Sequence, residues 1–261
     1  MPETLWLNGE FIDTRENARV SAFDAGFQHG VGLFETMSAS GGRVVHLEEH
    51  LARLEQSARA LRLTETLNLG PLAQAVELAY SKSELGAARI RLTLTGGDLN
   101  MLAAARQGES VGGTRQEATP TILIHCAPAT RYPDEMFEAG VTATIADTKA
   151  NPLNPLEGHK TLDYWWRLRE LQDAAGKGAG ESIVLQVTNH LAGGCVSNLL
   201  IAKDGALLTP IARGEEETNA VPSPVLPGIT RSFVIERARE SGIPVERRLL
   251  TVDDLLDADE A

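Results

Sequence analysis

Apolar residues at Leu47, Leu51, Leu54, Ala58 and Leu61 recur in steps of four and three, whereas the later segment from Ala88 to Thr95 alternates and is rich in Ile, Leu and Thr. The first spacing places one apolar face on a helix over 47–63, because side chains return to the same side of a helix about every 3.6 residues. The second is the two-residue period of a strand. A chain that changes period in this way lays helices on a sheet, so the first half reads as α+β. Around that core, Leu72 to Ser83 is expected to be a second helix and Pro120 to Cys126 another strand. Asn8-Gly9 between Leu5-Trp6-Leu7 and Glu10-Phe11-Ile12 predicts an opening hairpin.

Residues 96–118 are polar, glycine-rich and aperiodic, and are expected to form a long mobile loop that covers a site. Ala127-Pro128-Ala129-Thr130-Arg131-Tyr132-Pro133 carries two prolines and no periodicity, the pattern of a stiff connection. This divides the chain into a small α+β domain over 1–126, a linker over 127–134 and a larger domain over 135–261. Strands are expected near 141–146, 182–187 and 198–202, the last followed by an Asp204-Gly205 hairpin to Ala206 through Thr209. A helix from about Leu162 would carry a stripe of Tyr164, Leu168, Leu171 and Ala175, closed by Gly176, Gly178 and Gly180.

The chain has 261 residues, 43% of them hydrophobic, enough for one large or two modest domains. A net charge of -12 argues against a nucleic-acid or anionic-membrane partner, though a small anionic ligand needs only a few well-placed donors. There is no long apolar run, and the start lacks the pattern of a signal peptide, so a cytoplasmic protein is expected. Cys126 and Cys195 lack metal-ligand spacing, so they are expected as buried thiols and no metal centre is expected.

Lys160 is one of five lysines and lies between Gly158-His159 and Thr161-Leu162-Asp163-Tyr164. A lysine that attacks a carbonyl must spend part of its cycle neutral and is kept partly buried for that purpose. The alternative is a helix-start lysine with its ammonium in water. Tyr164, four residues on, would share a helical face with Lys160 and reach a cofactor oxygen, or else be a core tyrosine. Gly228-Ile229-Thr230 opens a helix whose free amides and hydroxyl suit a phosphate, although a plain turn and cap would use the same residues. Arg53 is a further phosphate candidate, or a surface partner of Glu49. A reactive amine and a phosphate cradle together point to pyridoxal phosphate.

These residues resemble the class IV aminotransferases, the fold type IV pyridoxal-phosphate enzymes that include branched-chain and D-amino-acid aminotransferases and aminodeoxychorismate lyase. The resemblance is carried in order by Asp24 through Gly30 with Gly32-Leu33-Phe34-Glu35-Thr36, by His50-Leu51-Ala52-Arg53-Leu54 with Ser57-Ala58, by the Lys160 segment, by Ser197-Asn198 with Gly205 and Thr209-Pro210, and by Gly228-Ile229-Thr230-Arg231. It implies a two-domain α+β fold with the cofactor in the interdomain cleft, and a homodimer. It further implies that Lys160 forms the cofactor's Schiff base and shuttles the proton, and that Arg53, Gly228, Ile229 and Thr230 hold the phosphate. Tyr164, Ser197 and Asn198 would complete the cofactor site, with Phe34 and Glu35 in the substrate pocket.

Two departures stand out. Gly193 occupies the place of the family's glutamate that pairs with the pyridine nitrogen, which should weaken the cofactor as an electron sink. The family also continues past an acidic stretch such as Val252 to Asp257 into further strands, whereas this sequence stops at Ala261, as expected of a piece of a longer chain. The expected activity is transfer of an amino group between an amino acid and a 2-oxo acid. The alternatives are 4-amino-4-deoxychorismate lyase activity, which the segment Asn154 to Lys160 resembles, and a weakly active or non-catalytic protein of the same fold. The arginines typical of branched-chain and D-amino-acid pockets are not evident around Thr93 to Gly97.

Overall fold

The computed structural model describes residues 3–64, 66–98 and 119–261. Most of the loop expected over 96–118 lies outside the described residues. The chain forms two compact units, one of residues 1–131 with 160–163, the other of residues 132–159 with 164–261.

The first unit is a six-stranded antiparallel sheet in the order β2-β1-β6-β5-β3-β4, built from β1 (Thr4–Leu7), β2 (Glu10–Ile12), β3 (Gly32–Ser40), β4 (Arg43–Val44), β5 (Ala87–Thr95) and β6 (Ile122–Pro128). Asn8 and Gly9 turn between β1 and β2 with positive φ, the conformation a tight hairpin requires. Helix α1 (Ala25–His29) starts at the buried Asp24, which accepts from the Gly26 amide and from the Thr95 and Thr121 hydroxyls. Helices α2 (Leu47–Ala60) and α3 (Leu69–Ser83) supply Leu51, Leu54, Ala58, Val76 and Ala79 to a core shared with Leu33, Met37, Ile90, Leu92 and Leu94 of the sheet. The period change in the sequence is this interface. Strand β6 runs on through Pro128, which still pairs with Ala88, so the expected stiff connection begins later than its prolines suggest.

The second unit has two three-stranded sheets. β7 (Ala143–Ile145), β8 (Glu181–Leu185) and β9 (Leu191–Gly194) form one, and β10 (Ile201–Lys203), β11 (Ala206–Pro210) and β12 (Val245–Arg248) the other. Asp204 and Gly205 make the expected tight turn between β10 and β11, both with positive φ. The helices are α4 (Asp134–Glu138), α5 (Trp165–Gly176), α6 (Ile229–Glu240) and α7 (Val252–Leu256). Among the described residues no helix is long and apolar enough to cross a membrane. Cys126 and Cys195 are buried free thiols.

Three sequence expectations need correction. Helix α5 begins at Trp165, not Leu162, because the backbone of residues 160–162 is engaged in strand pairing; Lys160 and Tyr164 therefore do not share a helical face. Its buried side carries Glu170 and Ala174, with Trp166 and Leu171 packed on the core, while Leu168 is 43% exposed. Glu170 belongs inside because it accepts from the Asp147 and Thr148 amides and from the Thr148 hydroxyl, so hydropathy alone misplaces the stripe. Asn198 follows a bend over 195–197 and lies before the strand, since Gly194 N donates to Ser197 O and turns the chain and β10 begins only at Ile201.

Candidate active site

Lys160 is held by backbone pairing. Phe34 N donates to Lys160 O at 2.9 Å, Leu162 N donates to Gly32 O at 2.9 Å, and Leu33 bridges Thr161, so residues 160–162 run as an extra edge strand on β3. Gly32 permits this approach: a Cβ there would lie 2.6 Å from both Leu162 Cδ1 and Leu94 O. The Lys160 ammonium sits 4.5 Å from the centroid of the Phe34 ring. Arg91 of β5 lies 3.8 Å from the same centroid, brought there because Thr36 is paired with Arg91. A cation over a ring face is held by the ring's quadrupole, so Phe34 orients both groups. Arg91 lies two residues before Thr93, and strand alternation puts both on one side of β5, so the pattern of the sequence already places an arginine beside this position.

Arg53 faces inward, not toward Glu49, which pairs instead with His46. Its guanidinium donates from Nε and Nη2 to the two Glu35 oxygens, at 2.9 and 2.5 Å, and His50 Nδ1 donates to Glu35 Oε2 at 2.7 Å. Arg53 is 9% exposed and Glu35 1%. Burial by itself would raise the Glu35 pKa, but the His50 and Arg53 hydrogen bonds and the Arg53 charge prevail and hold it below the usual glutamate value. Glu35 thus sets the rotamer of Arg53.

Gly228 is the N-cap of α6, a twelve-residue helix whose first turn has no side-chain cap. A Cβ at Gly228 would overlap Asn198 Oδ1, while Asn198 Nδ2 donates to Leu226 O at 2.9 Å, so this asparagine shapes the turn into the helix. The next residues, Ile229 and Thr230, open α6 with their amides at its positive end, an arrangement that suits a phosphate. Arg231 is buried and anchors the turn, donating to Thr209 Oγ1, Pro210 O and both Glu215 oxygens. Ser197 donates to Glu181. Tyr164 is the N-cap of α5, with Arg167 6.0 Å from its ring centroid.

The amine and the helix start fit pyridoxal phosphate; the ring-nitrogen end differs from the family pattern. Gly193 has φ of +153° and a Cβ there would stand 3.0 Å from Ser197 O, so the backbone itself disfavours a side chain at this position. Glu181, at the start of the neighbouring strand β8, is committed to the Ser182 and Cys195 amides and the Ser197 hydroxyl.

The model of the amino-transferase class IV family matches residues 32–261. The chain belongs to this family. A Methanocaldococcus jannaschii protein, provisionally named a branched-chain-amino-acid aminotransferase, is 32% identical over 259 residues, covering 98% of this chain and 82% of its own length. The branched-chain amino acid aminotransferase of Escherichia coli superposes with a TM-score of 0.83 at 28% identity, covering 98% of this chain and 80% of the other. The 4-amino-4-deoxychorismate lyase of Pseudomonas aeruginosa gives 0.77 at 28% identity, covering 98% and 84%. The chain is therefore a class IV aminotransferase with the type IV fold, and its family works with pyridoxal phosphate on amino and 2-oxo acids. Lyase activity is not favoured by these likenesses.

Proposed function

We propose that the chain carries pyridoxal phosphate on Lys160 and moves amino groups between amino acids with branched aliphatic side chains and 2-oxo acids. The observation that carries this reading is the Lys160 ammonium held over the Phe34 ring by a lysine backbone already paired to β3. When bound, the cofactor supplies the electron sink. Lys160 Nζ would then hold and return the proton at the substrate's α-carbon, from a backbone paired to β3. Phe34 offers an apolar wall for the substrate, and Arg91 beside it a guanidinium suited to a carboxylate. Glu35 acts on the site through Arg53, which with Gly228, Ile229 and Thr230 is assigned to the phosphate. Asn198 and Ser197 support that end, and Tyr164 is assigned to the ring oxygen. The names of the relatives support the branched aliphatic substrate. By the family resemblance the working form is a homodimer.

The test is the visible absorption of the protein with pyridoxal phosphate, beside Lys160→Ala, before and after leucine, valine and a panel of other amino acids. The expected result is a band absent from the mutant and bleached by the branched donors, with 2-oxo acid restoring it. Absence of the band in the wild-type protein would overturn the reading. Pyruvate release from aminodeoxychorismate without consumption of a 2-oxo acid would replace it with the lyase.

A further inference from the structure

The residues immediately before Lys160 are gripped by an arginine from a loop far along the chain. Arg213 donates from Nε at 3.0 Å and from Nη2 at 2.7 Å to one acceptor, the carbonyl of Glu157. Gly158, next in sequence, has φ of +79°, and a Cβ there would stand 2.5 Å from Arg213 Nε and 2.9 Å from Ser223 O. The Glu157 carboxylate is held separately by Arg167 at 2.7 Å. His159 N donates to Leu156 O at 3.3 Å, closing the turn. Three residues before the lysine are thus fixed in direction as well as position.

The loop that presents Arg213 is itself tied down. Arg213 N donates to Val225 O, Ser223 Oγ to Ile211 O, and Ala212 N to Glu215 Oε2. Glu215 accepts from Arg231 in the first turn of α6, the helix that begins with Gly228. A continuous set of hydrogen bonds therefore runs from the helix assigned to the phosphate to the turn that delivers the lysine.

We propose that Arg213 is a positioning residue for Lys160: its two-pronged hold on the Glu157 carbonyl sets the direction in which the chain enters the lysine. This rests on the assignment of Lys160 as the cofactor lysine. The acceptor is a single carbonyl oxygen, so a planar fork can clamp its direction while a lysine ammonium at the same place supplies charge without orientation.

The experiment compares the wild-type protein loaded with pyridoxal phosphate with Arg213→Lys, Arg213→Ala and Gly158→Ala. Gly158→Ala approaches the same contact from the other side, by driving a methyl group toward the guanidinium. Four quantities are read: kcat, KM, the visible circular dichroism of the bound cofactor, and the residue labelled after borohydride reduction and peptide mapping. In all three variants kcat should fall by about 10²-fold, the loss expected of a misplacement near 1 Å, with KM changed far less. The visible circular dichroism should weaken in parallel, and Arg213→Lys should fail to restore either. Should Arg213→Ala not fold, Arg213→Lys and Gly158→Ala decide the matter. Wild-type kcat and dichroism in Arg213→Lys would overturn the proposal, since charge would then suffice. Equal losses in kcat and in cofactor retention, with the dichroism of the remaining holoenzyme unchanged, would also overturn it, as the mark of a merely structural residue. If the borohydride label in the wild-type protein falls on a lysine other than Lys160, the assignment of the lysine fails; a label on Lys160 with unaffected variants sinks the positioning role alone.

Discussion

Glu35 is a carboxylate at 1% exposure, and its charge is tolerable because three donor atoms of Arg53 and His50 meet it. Arg53→Ala would leave that charge buried with His50 alone, and a broken buried pair of this kind costs about 3–5 kcal/mol. Replacing both partners, as Arg53→Met with Glu35→Leu, removes the charge as well as its partner and should recover most of that loss. Urea unfolding of the single and double mutants checks the stability. Cofactor titration separates the functional role: the double mutant should remain weak for pyridoxal phosphate, because the proposed phosphate contact is gone while the fold is restored. Full cofactor affinity in the double mutant would remove Arg53 from the site.

Helix α6 illustrates how an element is placed by the turn before it. Its N-cap glycine lies against the Asn198 amide, and Arg231 one turn in is locked to Thr209, Pro210 and Glu215. Gly228→Ala should cost about 1–3 kcal/mol, the usual penalty for overpacking, and weaken cofactor binding as the helix start shifts. In an Asn198→Ala background the overlap has no partner, so the same substitution should cost less, and the two effects should be non-additive in a double-mutant cycle. Additive effects, measured by denaturant midpoints, would mean that the glycine is not there to admit the asparagine.

Among the described residues, the carboxylates and the histidine with displaced pKa values all move down. His159 is lowered from 6.5 to about 4, by burial first and then by the Arg213 charge. Glu35, Glu170 and Glu215 are lowered too: burial opposes, but hydrogen bonds from His50 and Arg53, from Thr148 and Asp147, and from Arg231 respectively prevail. The folded state therefore binds fewer protons than the unfolded chain as acid is added, and stability falls with falling pH. The contribution of His159 is complete above pH 6.5 and is lost between there and about 4, while the three carboxylates add their losses below their ordinary value of 4.5. Urea midpoints measured from pH 8 down to about 4 should be level at first and then decline. His159→Gln should flatten the part above 4.5 and leave the steeper acid limb; an unchanged profile would show that the imidazole titrates normally.

What the sequence by itself determined is local. Residue periods gave α2, α3 and β5, and Asn8-Gly9, Asp204-Gly205 and Gly228 marked turns and a helix start, because backbone sterics act over a few neighbouring residues. The order of motifs around Phe34, Arg53, Lys160, Asn198 and Gly228 carried the family likeness, which the family match covering residues 32–261 bears out. The tertiary structure decided the rest. Lys160 lies in an extended segment because β3 offers it an edge, Arg53 turns inward because Glu35 sits 18 residues away in sequence, and Glu157 meets Arg213 across 56. Burying a charge or a peptide group obliges it to find a partner, and only the folded chain determines which distant residue provides it.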